Sequence, residues 1–283
     1  MIIIDYSAIA MAAFFARGSS SEEGMLRHFI LNSVRMNNVK FREKYGKMVI
    51  AIDDRSWRKD VYSAYKANRK TGRDKSDVDW ETVFNNFSKV KDELAEFFPY
   101  KVVQTKGAEA DDVIATLVKQ TQEFGKNEPV MIISADKDFI QLHKYSNVDQ
   151  WSPLTKKFIK HENPHQYLYE HVFKGDSSDG VPNVLSDDDT FINVDKRQKP
   201  LTQKKINLWL ENLSDLQSVM KEVEYRNYQR NRKVIDLDSI PEEISESILS
   251  NYNSQPDKNG SKVFNYLITN RLGQLVDSAP DFL

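Results

Sequence analysis

Three short apolar runs in this chain lead into aspartates: Ile2-Ile3-Ile4 into Asp5, Met48-Val49-Ile50-Ala51-Ile52 into Asp53, and Val130-Met131-Ile132-Ile133 into Asp136 and Asp138. Runs this short and this rich in β-branched residues are the pattern of strands buried on both faces. The segments between them carry apolar residues at helical spacing. Met25, Leu26, Phe29, Ile30 and Val34 place a helix over Gly24 to about Lys44, and Val83, Phe84, Phe87, Val90, Leu94, Phe97 and Phe98 place another that stops at Pro99. Strand alternating with helix describes a parallel sheet. Such a sheet takes its ligands at the carboxyl edge of its strands, where these aspartates fall, and Asp5 and Asp53 should lie close together.

Tyr100 to Val103 reads as a further strand. It leads into a helix opened by Glu109, Asp111 and Asp112, whose buried face is Ala110, Val113, Ile114, Leu117 and Val118. Asp111 lies at the edge of that face, turned to the sheet, and needs a partner there. Acids in a first helical turn complement its dipole, and Asp-Lys-Asp after a strand commonly starts a helix, so this stretch alone demands no site. Asp5 and Asp53 beside it change the balance. So many carboxylates in one place repel one another strongly unless a divalent cation joins them.

With 283 residues, the chain is long enough for one α/β domain with a helical annexe. It has no cysteine, which excludes disulfides, thiol catalysis and cysteine-based metal centres. Five histidines are scattered without a metal-binding spacing, so the metal site is expected to be oxygen-rich and to favour magnesium, manganese or calcium. No Gly-x-Gly-x-x-Gly follows a strand, so dinucleotide binding is unsupported. Neither a basic leader nor a long apolar segment is present, which predicts a cytosolic protein without membrane contact.

The net charge of −2 hides a local asymmetry. Between Arg55 and Lys75 stand Arg58, Lys59, Lys66, Arg69, Lys70 and Arg73, opposed only by Asp60 and Asp74, with Trp57, Tyr62 and Tyr65 among them. Cations neutralise phosphates and rings stack on bases, so the segment suits nucleic acid, with a solvated basic helix as the plain alternative. Lys70 to Asp79 is charge-rich and is expected to be mobile without substrate. Beyond Asp138 the chain becomes mainly helical. A short strand is expected within Trp151 to Lys160, a helix over Gln166 to Phe173, and closing helices over Pro241 to Tyr252 and Lys262 to Val276. Lys174 to Pro182, with two glycines and a proline, forms a tight loop by local chemistry alone. Residues Leu185 to Pro200 are polar and unassigned, and nothing after Val181 proposes a chemistry of its own. The division is into an α/β part over 1–160, with an arch at about 55–80, and a helical part over 161–283.

Ile4-Asp5, Ile52-Asp53, Tyr65-Lys66-Ala67-Asn68-Arg69, Glu109-Ala110-Asp111-Asp112, Ser134-Ala135-Asp136-Lys137-Asp138-Phe139 and Gly175-Asp176-Ser177-Ser178-Asp179 together resemble the flap endonuclease / 5′-nuclease superfamily. Within it they are most similar to the ribonucleases H of T-even-type bacteriophages, whose fold is unrelated to that of the usual ribonucleases H. Glu-Ala-Asp-Asp followed by Asp-x-Asp-Phe is the specific part, and the resemblance runs along most of the chain.

This resemblance implies an α/β, PIN-like fold with a mostly parallel sheet flanked by helices, a helical arch over the site, and a helix–three-turn–helix element for duplex binding. It assigns Asp53, Glu109, Asp111 and Asp136 to one magnesium, with Asp5 and Asp112 supporting through water. Asp138, Asp176 and Asp179 go to a second, weaker position, and manganese is expected to substitute. Lys66 and Arg69 would meet the scissile phosphate, with Arg58, Lys59, Tyr65, Lys70, Gly175 and Gly180 in the nucleic-acid interface and a monovalent cation near Gly175–Gly180. One departure stands out: many relatives follow that loop with a glycine-hydrophobe-glycine step, whereas Val184 to Asp189 is acidic.

The implied activity is magnesium-dependent 5′ to 3′ exonuclease and flap cutting on RNA–DNA and DNA–DNA duplexes, clearing lagging-strand primers in phage replication. Two cations would activate water and stabilise the in-line transition state without a protein nucleophile. A monomer in the bacterial cytoplasm is expected, with a phage single-strand DNA-binding protein and a sliding clamp as partners. Two other classes compete: a non-catalytic nucleic-acid module, which the full acid set argues against, and an aspartate-nucleophile phosphatase, which would need a second Asp two positions after Asp5.

Overall fold

The structure is a computed structural model that describes residues 1–283 apart from 17, 19, 20, 70–72, 74 and 75, and apart from the side chain of residue 124. The chain opens with β1 (Ile2–Asp5), α1 (Tyr6–Phe15), α2 (Glu23–Tyr45) and β2 (Met48–Ile52). It continues through α3 (Arg58–Val61), α4 (Trp80–Phe97), β3 (Lys101–Gln104), α5 (Ala110–Gln122), β4 (Val130–Ile133), β5 (Val148–Ser152) and β6 (Lys157–Ile159). The rest is helical: α6 (Pro164–Lys174), α7 (Gln203–Glu211), α8 (Leu216–Val219), α9 (Glu222–Ile235), α10 (Glu242–Ser254), α11 (Val263–Thr269) and α12 (Gly273–Val276).

The strands form one sheet in the order β3-β2-β1-β4-β5-β6, parallel except for the β5–β6 pair. β1 lies between β2 and β4, and consecutive connections leave it in opposite directions. The carboxyl edge beside it is therefore the crevice of the sheet. Side chains alternate across the strands. Ile2, Ile4, Ile50 and Ile133 face a core closed by α1, α2 and α4, while Ile3, Val49, Val103 and Ile132 face a second core under α5 and α10. A third core, around Phe173, Trp209 and Tyr228, holds α6 to α9 together and takes in Tyr62 and Tyr65 from the arch segment.

Expected elements appear where the periodicity places them, with two refinements. Trp151 to Lys160 contributes to two strands, the β5–β6 hairpin, whose antiparallel register pairs Trp151 with Phe158. The closing stripe over Lys262 to Val276 is broken into α11 and α12, because Arg271 takes a left-handed conformation with φ +55°. Its apolar residues keep helical phase across the break, which is why the pattern reads as one helix. Between α6 and α7 the chain runs through a succession of turns over 175–202, the helix–turns–helix arrangement of the helical part. Of the arch, the described residues include α3, turns over 63–67 and a helical start at Asn68–Arg69. Lys70 and half of the stretch expected to be mobile (70–72, 74 and 75) lie outside the described residues.

Candidate active site

The strand ends deliver the first carboxylates. Asp5 caps α1, accepting the Ala8 N–H at 3.1 Å, and accepts the Ser134 hydroxyl at 3.0 Å. Burial, and then the neighbouring Asp53 charge, push its carboxyl up to about 7. Asp53 accepts from the Ser7 hydroxyl at 2.5 Å and from the Ala110 N–H at the start of α5 at 2.9 Å, which ties the β2 end to that helix. Ser134 also receives the Asp136 N–H at 3.1 Å, so one buried hydroxyl spaces the acids of β1 and β4.

α5 brings in three more acids with different environments. Glu109 is its N-cap, and its carboxylate accepts from Ser56 (2.7 Å), Arg58 (3.0 Å), Tyr65 (3.0 Å) and Lys66 (2.5 Å). Burial alone would raise its pKa, but Lys66 and Arg58 hold it below the usual carboxylate range. Asp112 is fully buried, closes the capping box on the Glu109 N–H at 2.9 Å and is gripped by both terminal nitrogens of Arg58 at 2.8 and 3.0 Å. Asp111 is the opposite case. Among the described residues no hydrogen-bond donor reaches its carboxylate, and burial, followed by the Asp136 charge, raises its pKa well above the ordinary value.

The remaining acids come from the other side of the cleft. Asp138 starts the turn after β4, and Asp176 and Asp179 lie in the loop after α6. Burial first and the Asp136 charge next raise Asp138 to about 7 against the opposing effect of His171. Asp176 accepts the N–H groups of Ser178 and Asp179, and despite burial, His171 and Ser178 hold it low. Asp179 accepts from the Tyr65 hydroxyl at 2.8 Å and pairs with Arg69 and, at 3.4 Å, with Lys66. Gly175 and Gly180 shape this loop. A Cβ on Gly175 (φ +69°) would sit 2.4 Å from the Val181 carbonyl, and one on Gly180 (φ +73°) 3.0 Å from the Ala64 carbonyl. Only glycine lets the loop pass so close to its neighbours.

Two expected nucleic-acid contacts are corrected. Arg58 is 2% exposed, with Glu109, Asp112 and the Val234 carbonyl taking its guanidinium, so meeting a phosphate would strip the counter-ion from buried Asp112 and one of two cations from Glu109. Tyr65 is 3% exposed, and its hydroxyl bridges Glu109 and Asp179 instead of its ring stacking on a base. Lys59, Lys66 and Arg69 stay at least partly accessible. Sequence reading also missed three features. Ser134 follows β4 directly, a position that could have marked it. His171 reaches the acid cluster only because α6 folds back onto the turn after β4. The acidic Asp188 is matched by Arg226 and Arg230 of α9, so the departure at Val184 to Asp189 carries its own counter-charge.

A cavity of about 10 Å³ lies among Asp111, Asp138, Asp176 and Asp179, with the volume of one ion or water. Four carboxylates around a space of that size, two of them (Asp111 and Asp138) raised first by burial and then by the charge of Asp136, fit a hard divalent cation. On the other side of Lys66, a cleft of about 730 Å³ opens past Ser7, Asp53, Arg69, Trp80 and Phe84.

Residues 1–172 match the family model of the 5′-3′ exonuclease N-terminal, resolvase-like domain, and residues 164–282 match that of the T4 RNase H C-terminal domain. The chain belongs to the 5′-3′ exonuclease family. It is 36% identical over 291 residues to ribonuclease H of Enterobacteria phage T4, covering 99% of this chain and 95% of that one. A 5′-3′ exonuclease of Buchnera aphidicola is 29% identical across 65% of each chain. Among solved structures, T5 5′-exonuclease with divalent zinc ions bound superposes with a TM-score of 0.66 at 15% identity, over 89% of this chain and 98% of that one. A bacteriophage T5 flap endonuclease in a pseudo-enzyme-product complex with DNA and metal ions gives 0.60 at 19% identity, over 89% and 99%. At these identities the T5 likeness is one of fold. As a member of this family the protein is a nuclease that hydrolyses phosphodiester bonds. Among its described residues no helix is long and apolar enough to cross a membrane.

Proposed function

We propose that this nuclease is a magnesium-dependent 5′ to 3′ exonuclease and flap endonuclease acting on RNA–DNA and DNA–DNA duplexes, and that it clears lagging-strand primers during phage replication in the host cytoplasm. The observation that carries the reading is the convergence of Asp5, Asp53, Glu109, Asp111 and Asp136 at the crevice beside β1, with Lys66 reaching into it from the arch segment. Asp53, Glu109, Asp111 and Asp136 are the residues to hold one magnesium, with Asp5 and Asp112 behind them. Asp138, Asp176 and Asp179 are those for the second. A cation held by these residues would supply a water of lowered pKa and positive charge for the in-line displacement.

The chain's own groups account for the rest. The Lys66 ammonium and the Arg69 guanidinium stand where a phosphate would accumulate negative charge, and each can exchange its carboxylate partner for a phosphate oxygen. Ser56, Arg58 and Tyr65 still hold the Glu109 carboxylate when Lys66 moves toward substrate. Manganese is expected to replace magnesium, and a monovalent cation to sit at Gly175–Gly180. The working form is a monomer, with a single-strand DNA-binding protein and a sliding clamp as partners. The deciding experiment is a gel of 5′-labelled flap and nicked RNA–DNA substrates with magnesium, calcium and EDTA side by side. Cutting in magnesium alone is expected, and intact substrate in every lane refutes the reading.

A further inference from the structure

Asp138, His171 and Asp176 arrive from three places: the turn after β4, the last turn of α6 and the loop that follows it. One ligand atom from each can be chosen so that all lie within 4.8 Å of one another. His171 Nδ1 is 3.2 Å from Asp138 Oδ1, and its Nε2 is 3.6 Å from Asp176 Oδ2. The ring is held in place. The His171 carbonyl accepts the Gly175 N–H at 2.8 Å where α6 ends, Val172 and Phe173 anchor that end in the helical core, and the Tyr167 ring lies 6.0 Å away.

Nδ1 is shut off from solvent and, among the described residues, has no hydrogen-bond partner, although Asp138 Oδ1 is 3.2 Å away. A buried polar atom left in this condition costs about 1–3 kcal/mol. Asp138 and Asp176 flank the ring and favour its protonated form, so a proton and a metal ion compete for the same nitrogen. The geometry that favours a shared cation is the closeness of the three donors, one atom from each of Asp138, His171 and Asp176 lying within 4.8 Å of the others.

We propose that His171 is a nitrogen ligand of the second, weaker metal position, and that with Asp138 and Asp176 it makes a mixed nitrogen–oxygen set selecting manganese or cobalt over magnesium there. Magnesium prefers oxygen donors, whereas imidazole nitrogen favours transition metals. The inference rests on the metal-dependent reading above and adds a ligand that the all-carboxylate assignment lacks.

The full chain is titrated with manganese alone to saturation, and electron spin-echo modulation is recorded with natural-abundance and ¹⁵N-histidine protein. Two bound ions are expected, with imidazole nitrogen coupling that follows the label and vanishes in His171→Gln. Two ions without nitrogen coupling, fewer than two ions at saturation, or coupling that persists in the variant each overturns it. Competition with magnesium adds a second measurement. In His171→Gln, manganese affinity at the weaker position should fall by about 10-fold or more, a loss that even outer-shell partners cause, while magnesium affinity falls less. Equal loss for both metals would mean a structural role and overturns the inference. Flap cutting is assayed on the same preparation: cutting without nitrogen coupling sinks this inference alone, and nitrogen coupling in a protein that cuts nothing sinks the proposed function alone.

Discussion

Lys66 Nζ lies 2.5 Å from Glu109 Oε1, so a cation from the arch segment rests on an acid of the sheet edge. Asp179 stands 3.4 Å from the same ammonium. On the proposed function, substrate would have to compete for this lysine and would gain a charge already inside the cleft. Lys66→Ala should therefore lower the single-turnover cleavage rate by about 10²-fold, the size of effect seen when one transition-state donor is removed, with a much smaller change in affinity. Rapid-quench kinetics beside a binding isotherm checks this. Weakened binding with an unchanged rate would make Lys66 a phosphate anchor only.

Asp111 and Asp136 repel each other, and among the described residues no donor reaches the Asp111 carboxylate, with the Lys66 charge opposing the repulsion. Asp111→Asn and Asp136→Asn should each cut cleavage by about 10²–10³-fold while duplex binding in calcium persists. The same variants remove a repulsion from the metal-free protein and should raise its melting temperature, by about 2–4 °C for each kcal/mol relieved. Cleavage at the wild-type rate in either variant would contradict the metal assignment.

Arg58 serves two buried carboxylates at once. Arg58→Met should destabilise the fold by about 3–5 kcal/mol, because it leaves uncompensated charge in the interior, whereas Arg69→Met, at an exposed ion pair, should cost no more than about 1 kcal/mol. Urea unfolding of both variants provides the comparison. Equal stabilities would mean that Arg58 is not the counter-ion described here.

The acids also set a pH dependence. Asp5 and Asp138 titrate at about 7 in the folded chain, against an ordinary value of 3.8, so between about pH 4 and pH 7 the folded state holds more protons than the unfolded. Stability must then fall as pH rises through that window and level off above it. Metal-free protein should melt roughly 5 °C or more lower at pH 8 than at pH 5, and magnesium or calcium should recover the difference at pH 8. Below about pH 4 the trend reverses, because Glu109 and Asp176, both held low, lose their ion pairs on protonation. Melting curves across pH with and without metal test both limbs.

The sheet and its acidic edge were readable because strand ends are local: an apolar run followed by Asp states both the element and the residue at its exit. Asp111 was readable as a carboxylate in need of a partner because helical phase gives its direction. The fate of Arg58 and Tyr65 was not, since a basic, aromatic segment has the same composition whether it faces phosphate or folds its cations back onto Glu109 and Asp112. His171 was hidden for a related reason. Its distance from Asp138 along the chain carries no signal, and only the packing of α6 against the turn after β4 brings the two together. Likewise the charge on Asp188 looked unbalanced until α9 set Arg226 and Arg230 against it.

The backbone of Lys66 is itself left-handed, at φ +56°, and its N–H donates to the Asp179 carbonyl at 2.7 Å. Through this hydrogen bond the root of the arch and the loop between Gly175 and Gly180 are fastened like two leaves on one pin. A shift of the Lys66 backbone is therefore expected to carry Asp179 with it.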